Sequence, residues 1–275
     1  MKYYILITAL LWALTSRAQL QLPAQSPGAQ ITQTIGLTEV EISYSRPSAR
    51  DRVIFGPDGL LPNGEFWRVG ANAATKITFS GDVYIDDNLL AKGSYTLLAK
   101  PGVKTWTLNW YSYTTTDWND YVSIAPLLSL KATVQQTATA IESLELHFQD
   151  ITMNSAKLLL EWERSRFEIP IRVDEKEKIA KDIIQTLVGP DIFDYYAAAL
   201  YLHENQTELE RALEYVQKVT ASPKALFFVV TREALILQDL GRTTAAKKVA
   251  ERGIALSRKA GNKDFIRMNM KIINQ

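Results

Sequence analysis

The sequence predicts an α+β protein in two parts, an N-terminal antiparallel β-sandwich followed by an all-α helical-repeat domain. Three observations lead there. From about Gln30 to Val173 apolar and polar residues alternate at period two. After Asp174 the alternation gives way to apolar residues at helical spacing. Within that helical part, short stretches recur 34 positions apart. Alternation marks strands with one buried face, and spacing of three to four marks amphipathic helices.

At the N-terminus, Lys2 gives a short positive region, and Tyr3 to Leu14 form an almost unbroken apolar run. Thr15-Ser16-Arg17-Ala18 then ends in a small residue. This order reads as a secretory signal peptide over residues 1–18, cut after Ala18. Its dozen or so apolar residues fall short of the ~20 that cross a bilayer. A retained N-terminal anchor is the alternative. The expectation is a periplasmic or secreted protein that does not span a membrane once cleaved, with 19–29 as a flexible lead-in.

The sandwich is placed over 30–173. Val40, Ile42 and Tyr44 alternate with Glu39, Glu41 and Ser43, and Ile77/Phe79 and Val83/Ile85 repeat the pattern. Tyr95, Leu97 and Ala99 lead to the Pro101-Gly102 turn, and Trp106, Leu108 and Trp110 follow. Leu144, Leu146 and Phe148 run to an Asn154-Ser155 turn before Leu158, Leu160 and Trp162. Nine to eleven short strands of this kind, about the number two packed sheets need, are expected.

The helical domain is placed over 174–275. Asp174-Glu175-Lys176-Glu177 reads as an acidic helix start, Ile179, Ile183, Ile184 and Leu187 share one face, and Gly189-Pro190 stops the helix. Ala212-Leu213-Glu214-Tyr215-Val216 falls 34 positions before Ala246-Lys247-Lys248-Val249-Ala250. That period is the tetratricopeptide spacing. A plain helical bundle docked on the sandwich is the competing reading.

Composition excludes several chemistries. The chain has no cysteine, so disulfides, thiol nucleophiles, thiolate metal sites and cysteine-linked lipid anchors are ruled out. The formal charge of +1 argues against a general polyanion binder, and no nucleic-acid partner is expected. The two histidines, His147 and His203, lack a second histidine at ligand spacing, so no metal site is expected. No phosphate loop, dinucleotide fingerprint or Gly-x-Ser-x-Gly elbow occurs, and no cofactor is expected.

The residues richest in possible chemistry lie between Tyr44 and Thr75. Arg46, Arg50, Arg52 and Arg68 gather there with Asp51, Asp58 and Glu65, beside Phe55, Phe66, Trp67 and Asn72. One reading makes Arg46, Arg52, Trp67, Arg68 and Asn72 a ligand site, with arginine forks for carboxylate or phosphate and Trp67 as an apolar wall. The other has the arginines clamp long loops, Arg46 or Arg52 pairing with Asp51 or Glu65 while Phe55 and Trp67 fill the space beneath. Glu65 beside Trp67, and Asp117 with Asp120 beside Trp118, are the carboxylates that a glycoside hydrolase would use. Tyr113 and Trp118 lie on a polar loop that could stack on a ligand, whereas Trp106 and Trp110 belong in the core.

Ser45-Arg46-Pro47-Ser48, Arg52-Val53-Ile54-Phe55-Gly56 and the run Glu65-Phe66-Trp67-Arg68-Val69-Gly70-Ala71-Asn72-Ala73-Ala74-Thr75 resemble the bacterial family called domain of unknown function 2911. Lys92-Gly93-Ser94-Tyr95-Thr96-Leu97 and Trp106-Thr107-Leu108 continue the likeness, which covers roughly Ser26 to Val173. The resemblance implies an exported bacterial β-domain, in some members with a helical tail, and brings no assigned activity or site residue. This chain departs from it at Leu128-Ser129-Leu130-Lys131-Ala132, where members often carry an arginine. The leading expectation is an exported, non-enzymatic binding and interaction protein. It would hold a small anionic or glycan ligand at the arginine-rich loops and engage a protein partner through the helices. The alternative is a carbohydrate-active or other hydrolase using Glu65 and Asp117.

Overall fold

The computed structural model describes residues 22–187, Gly189 and residues 191–275. The leader expected over 1–18 lies outside the described residues, as does Pro190 of the expected helix stop. The predicted fold class holds. Among the described residues ten strands form two antiparallel sheets, and six helices follow them.

The larger sheet has the order β1 (Gly28–Ile35), β2 (Thr38–Ser45), β3 (Lys76–Phe79), β6 (Gly93–Lys100), β7 (Thr105–Ser112) and β8 (Leu128–Thr133). The smaller has the order β5 (Asn88–Leu90), β4 (Val83–Ile85), β10 (Ser155–Arg172) and β9 (Gln135–Gln149). The period-two pattern is what the packing uses. In β2, Val40, Ile42 and Tyr44 are buried while Glu39, Glu41 and Ser43 are not. In β7, Trp106, Leu108 and Trp110 are buried, as expected for inward strand positions. The two inner faces meet in one apolar core that includes Ile42, Ile77, Leu97, Trp106, Leu146, Leu160 and Trp162. Strand β10 bends at a bulge where Glu163 takes φ +52°, and pairing with β9 resumes on either side of it.

A short helix α1 (Asn119–Val122) lies in the β7–β8 connection. Beyond the sandwich come α2 (Lys176–Thr186), α3 (Ile192–Glu204), α4 (Leu209–Thr220), α5 (Phe227–Asp239), α6 (Thr243–Lys259) and α7 (Lys263–Asn274). Each of α3 to α6 packs on the next, and α5 also packs on α3 and α7. The 34-residue offset carries α4 onto α6. Ala212 and Ala246 are both buried, and so are Val216 and Ala250. Alanine at both positions of the first pair lets neighbouring helices approach closely. No helix among the described residues is long and apolar enough to cross a membrane.

The helices are fastened to one end of the sandwich by Glu175. Its carboxylate accepts from the backbone N–H of Leu37 at 2.7 Å and from the Thr38 hydroxyl at 3.0 Å, both in the β1–β2 turn. Gly36 in that turn has φ +61°, and a Cβ there would stand 2.3 Å from Glu175 Oε2 and 2.8 Å from Val173 Cγ2. Nearby, Asn205 at the end of α3 donates to Met153 Sδ in the β9–β10 turn at 3.6 Å. Gly36→Ala should therefore destabilise the protein by about 2 kcal/mol or more. The left-handed backbone alone accounts for ~1–2 kcal/mol of that, and the displaced Glu175 bonds add to it. Urea denaturation checks this, and a midpoint equal to the wild type would refute it.

Candidate functional site

The long β2–β3 connection is tied to both sheets by its own backbone. Leu144 N–H donates to the Pro47 carbonyl and Ala49 N–H to the Glu142 carbonyl, fixing the first stretch to β9. Trp67 and Ala99 exchange both backbone hydrogen bonds at 2.8 Å, fixing the second stretch to β6. Gly64 N–H donates to Pro101, and Ala74 N–H donates to Thr116. A connection this long has many polar groups to satisfy, and here the sheets satisfy them.

Beneath it lies an aromatic cluster. Trp67 stacks on Trp162 with centroids 5.7 Å apart, and Phe55 lies 4.8 Å from Trp106 and 6.1 Å from Trp67. Trp67 is only 4% exposed, and its indole N–H donates to the Gly70 carbonyl at 3.0 Å. The residue expected either to wall a site or to fill the space beneath does both, because its ring forms the floor of a cavity.

That cavity, about 360 Å³, is the place where the sequence candidates converge. Arg50, Arg52, Arg68 and Glu65 line it, with Trp67, Trp118, Trp162 and Phe66 as aromatic wall. Gln25 and Ser26 close one side, drawn in from the segment expected as a flexible lead-in. Three arginines thus face one carboxylate, a local excess of two positive charges.

The arginines differ in what holds them. Arg52 Nε and Nη2 donate to the carbonyls of Ala49 and Ser48 at 2.9 and 2.7 Å. Arg50 donates to the side-chain and backbone oxygens of Gln25 at 3.1 and 2.7 Å. Arg46 Nε donates to the Leu144 carbonyl at 2.9 Å and does not line the cavity. The expected pairing of Arg46 or Arg52 with Asp51 or Glu65 is not formed; among the described residues none of these four takes part in an ion pair. Asp51 and Glu65 are exposed, where hydration competes with pairing, whereas loop carbonyls close to the chain need donors. The clamp is real, but carbonyls hold it instead of carboxylates.

Arg68 is the exception. Its Nε is buried with no hydrogen-bond partner, and its guanidinium lies 5.4 Å from the centroid of the Trp118 ring. Burial pushes its pKa below the usual arginine value. The next residue, Val69, is fully buried at φ +52°, a conformation rare for a β-branched side chain. Thr75 holds it there by donating to the Val69 carbonyl at 2.8 Å. Strain of this kind persists only where the surroundings over-determine it.

Asn72, also at positive φ (+59°), is exposed at the cavity's edge, and its amide donates to the Ser26 carbonyl and the Ser45 hydroxyl. Asp117 does not line the cavity; its carboxylate accepts from the backbone and side chain of Asn119 at the start of α1. The carboxylate pair that a hydrolase would need is not gathered here, and Glu65 stands alone. Of the histidines, His147 sits half-buried on the outer side of β9, near Glu161. His203 is buried between Arg232, which donates to Nδ1 at 2.7 Å, and Asp239, 2.9 Å from Nε2. An arginine can only donate, so Nε2 carries the proton toward Asp239. Among the described residues no group of three or more His, Asp or Glu is placed to hold a metal ion.

Residues 26–171 match the sequence profile of the family described as "Protein of unknown function (DUF2911)". The chain belongs to that family. No curated protein and no solved structure matches it. The DUF2911 match begins at Ser26 on the cavity wall and ends at Ile171 near the end of β10, so it spans the sandwich and every cavity-lining residue except Gln25. It stops short of Glu175 and the helices.

Sequence reasoning had not placed Gln25, Arg50 or Trp162 on a site. Arg50 carried a usable signal, since it sits between Arg46 and Arg52 in the same loop. Trp162 is an inward strand position like many others, and only its place in the fold puts it on the cavity floor.

Proposed function

We propose that this DUF2911 chain is an exported binding protein whose sandwich holds a small anion-bearing ligand in the arginine-rimmed cavity. The observation that carries this is Arg68: a guanidinium with a buried, unpartnered Nε, stacked on Trp118, in a cavity where three arginines face one carboxylate. A protein does not ordinarily leave a buried donor unmatched, because each costs ~1–3 kcal/mol. A carboxylate or phosphate on the ligand supplies the missing acceptor with charge-assisted hydrogen bonds. The aromatic wall suits an apolar or sugar-ring body attached to that anion. The helices are read as a tetratricopeptide-like segment that engages a protein partner, a reading supported by the 34-residue offset between buried alanines. Export rests on the N-terminal leader.

Thermal melts of the protein with galacturonate, inorganic phosphate or sulfate test the cavity. At least one of these anions should raise the melting temperature, as mass action requires of a ligand that binds only the folded state. In Arg68→Gln the rise should vanish. If no anion stabilises the wild type, or Arg68→Gln responds equally, the anion-site reading is wrong.

A further inference from the structure

A second cavity, about 490 Å³, is built from four stretches of chain that also contribute to the first, although no residue lines both and the first takes in residues 50–68 and Trp162 as well. Ser26 lines the first and Gly28 the second; Pro47 the first and Ser45 the second; Ala71 the first and Ala73 the second; Trp118 the first and Tyr113 the second. Between them sits Asn72, its amide spanning Ser26 and Ser45 like a low sill.

The two cavities also repeat one chemical device. In the first, Arg68 lies 5.4 Å from the ring centroid of Trp118. In the second, Lys76 Nζ lies 5.4 Å from that of Tyr113. Both rings come from the β7–β8 connection, and both cations lack a carboxylate partner among the described residues. Each cavity thus sets a cation without a carboxylate partner beside an aromatic face, and the first adds Arg50 and Arg52 to its lining.

We propose that the two cavities are consecutive subsites of a single cleft that takes a short acidic oligosaccharide, one anionic sugar at Arg68 and the next at Lys76. This rests on the anion-site reading of the first cavity. Sugar is favoured over peptide by what lines the second subsite. Strand β1 is the edge of the larger sheet, but the second cavity lies across the face of β1, β2 and β3, where Gln30, Ser43 and Lys76 stand in register. The backbone beneath it is therefore already laddered between strands and is not offered to a peptide. The cavity offers instead outward hydroxyls and an amide, Ser43 and Ser45 on β2 and Gln30 on β1. Such neutral groups match a ligand rich in hydroxyls, while each of the two cations suits one of its charges.

Titration calorimetry on the full chain tests this with galacturonate, trigalacturonate and triglutamate. Trigalacturonate should bind about tenfold or more tightly than galacturonate, because the second contact forms at high effective concentration. Lys76→Gln should abolish that advantage while leaving galacturonate affinity unchanged, and its melting temperature without ligand should match the wild type. Equal affinity for monomer and trimer, or a trimer advantage that survives Lys76→Gln, overturns the extended cleft. If monomer binding still depends on Arg68 in either case, the single anion site stands. Triglutamate binding as tightly as trigalacturonate, with the same dependence on Lys76, overturns the choice of sugar. No binding of either sugar probe overturns the inference, and the response to phosphate and sulfate then decides the anion site separately.

Discussion

Trp67→Ala is expected to cost about 3–5 kcal/mol, the usual range for deleting a large buried aromatic side chain. The site gives no reason for a smaller effect. Trp67 stacks on Trp162 and meets Trp106 and Phe55 edge-on, so its loss opens a hole under the whole β2–β3 connection. The indole bond to the Gly70 carbonyl is lost as well, leaving an acceptor beside the strained Val69. Against a total stability of about 5–15 kcal/mol, such a loss brings the sandwich close to unfolding at ordinary temperature. Trp67→Phe keeps most of the ring and should cost under half as much. Guanidinium denaturation of the two variants measures both. A loss below about 1 kcal/mol for Trp67→Ala would mean that the cluster does not support the loop.

Arg68→Met should behave in the opposite way. The methionine keeps the apolar stem over Trp118 and removes the buried Nε that has no acceptor. The ligand-free protein should gain about 1 kcal/mol, the low end of the cost of an unmatched donor, because the rest of the guanidinium reaches water. Anion affinity should fall by one to two orders of magnitude, the worth of ~1.5–3 kcal/mol of charged hydrogen bonding. Arg68→Lys should fall between, retaining charge without the planar fork. Opposite signs on stability and binding identify a residue kept for its ligand. If Arg68→Met destabilises the protein and leaves anion binding intact, Arg68 is a packing residue.

These two variants also mark where sequence reading stops. The strands were legible because burial of one face imposes period two, and Val40, Ile42 and Tyr44 obey it without exception. The equivalence of Ala212 and Ala246 was legible because tight helix contacts demand small residues at a fixed interval. The arginine cluster was visible as a cluster, but not what each arginine does. Arg46 and Arg52 bond to carbonyls that any residue carries, so no partner could be read from side-chain types. Asp117 looked like a catalytic candidate beside Trp118, yet one residue apart along the loop was enough to send the ring to the cavity and the carboxylate to Asn119. Lys76 had no signal at all, since a lysine opening a strand is ordinary until its neighbour is known to be Tyr113.

The β1–β2 hairpin has its two ends put to different use. Its open end, at Gly28 and Ser45, borders the cleft, while its turn, at Leu37 and Thr38, is gripped by Glu175 and the helices. Eight residues of strand place those ends about 23 Å apart. A molecule lodged in the cleft and another seated on the helices would therefore not compete for space. Under the proposed function, the hairpin is the ladder of strands that separates a ligand pole from a partner pole.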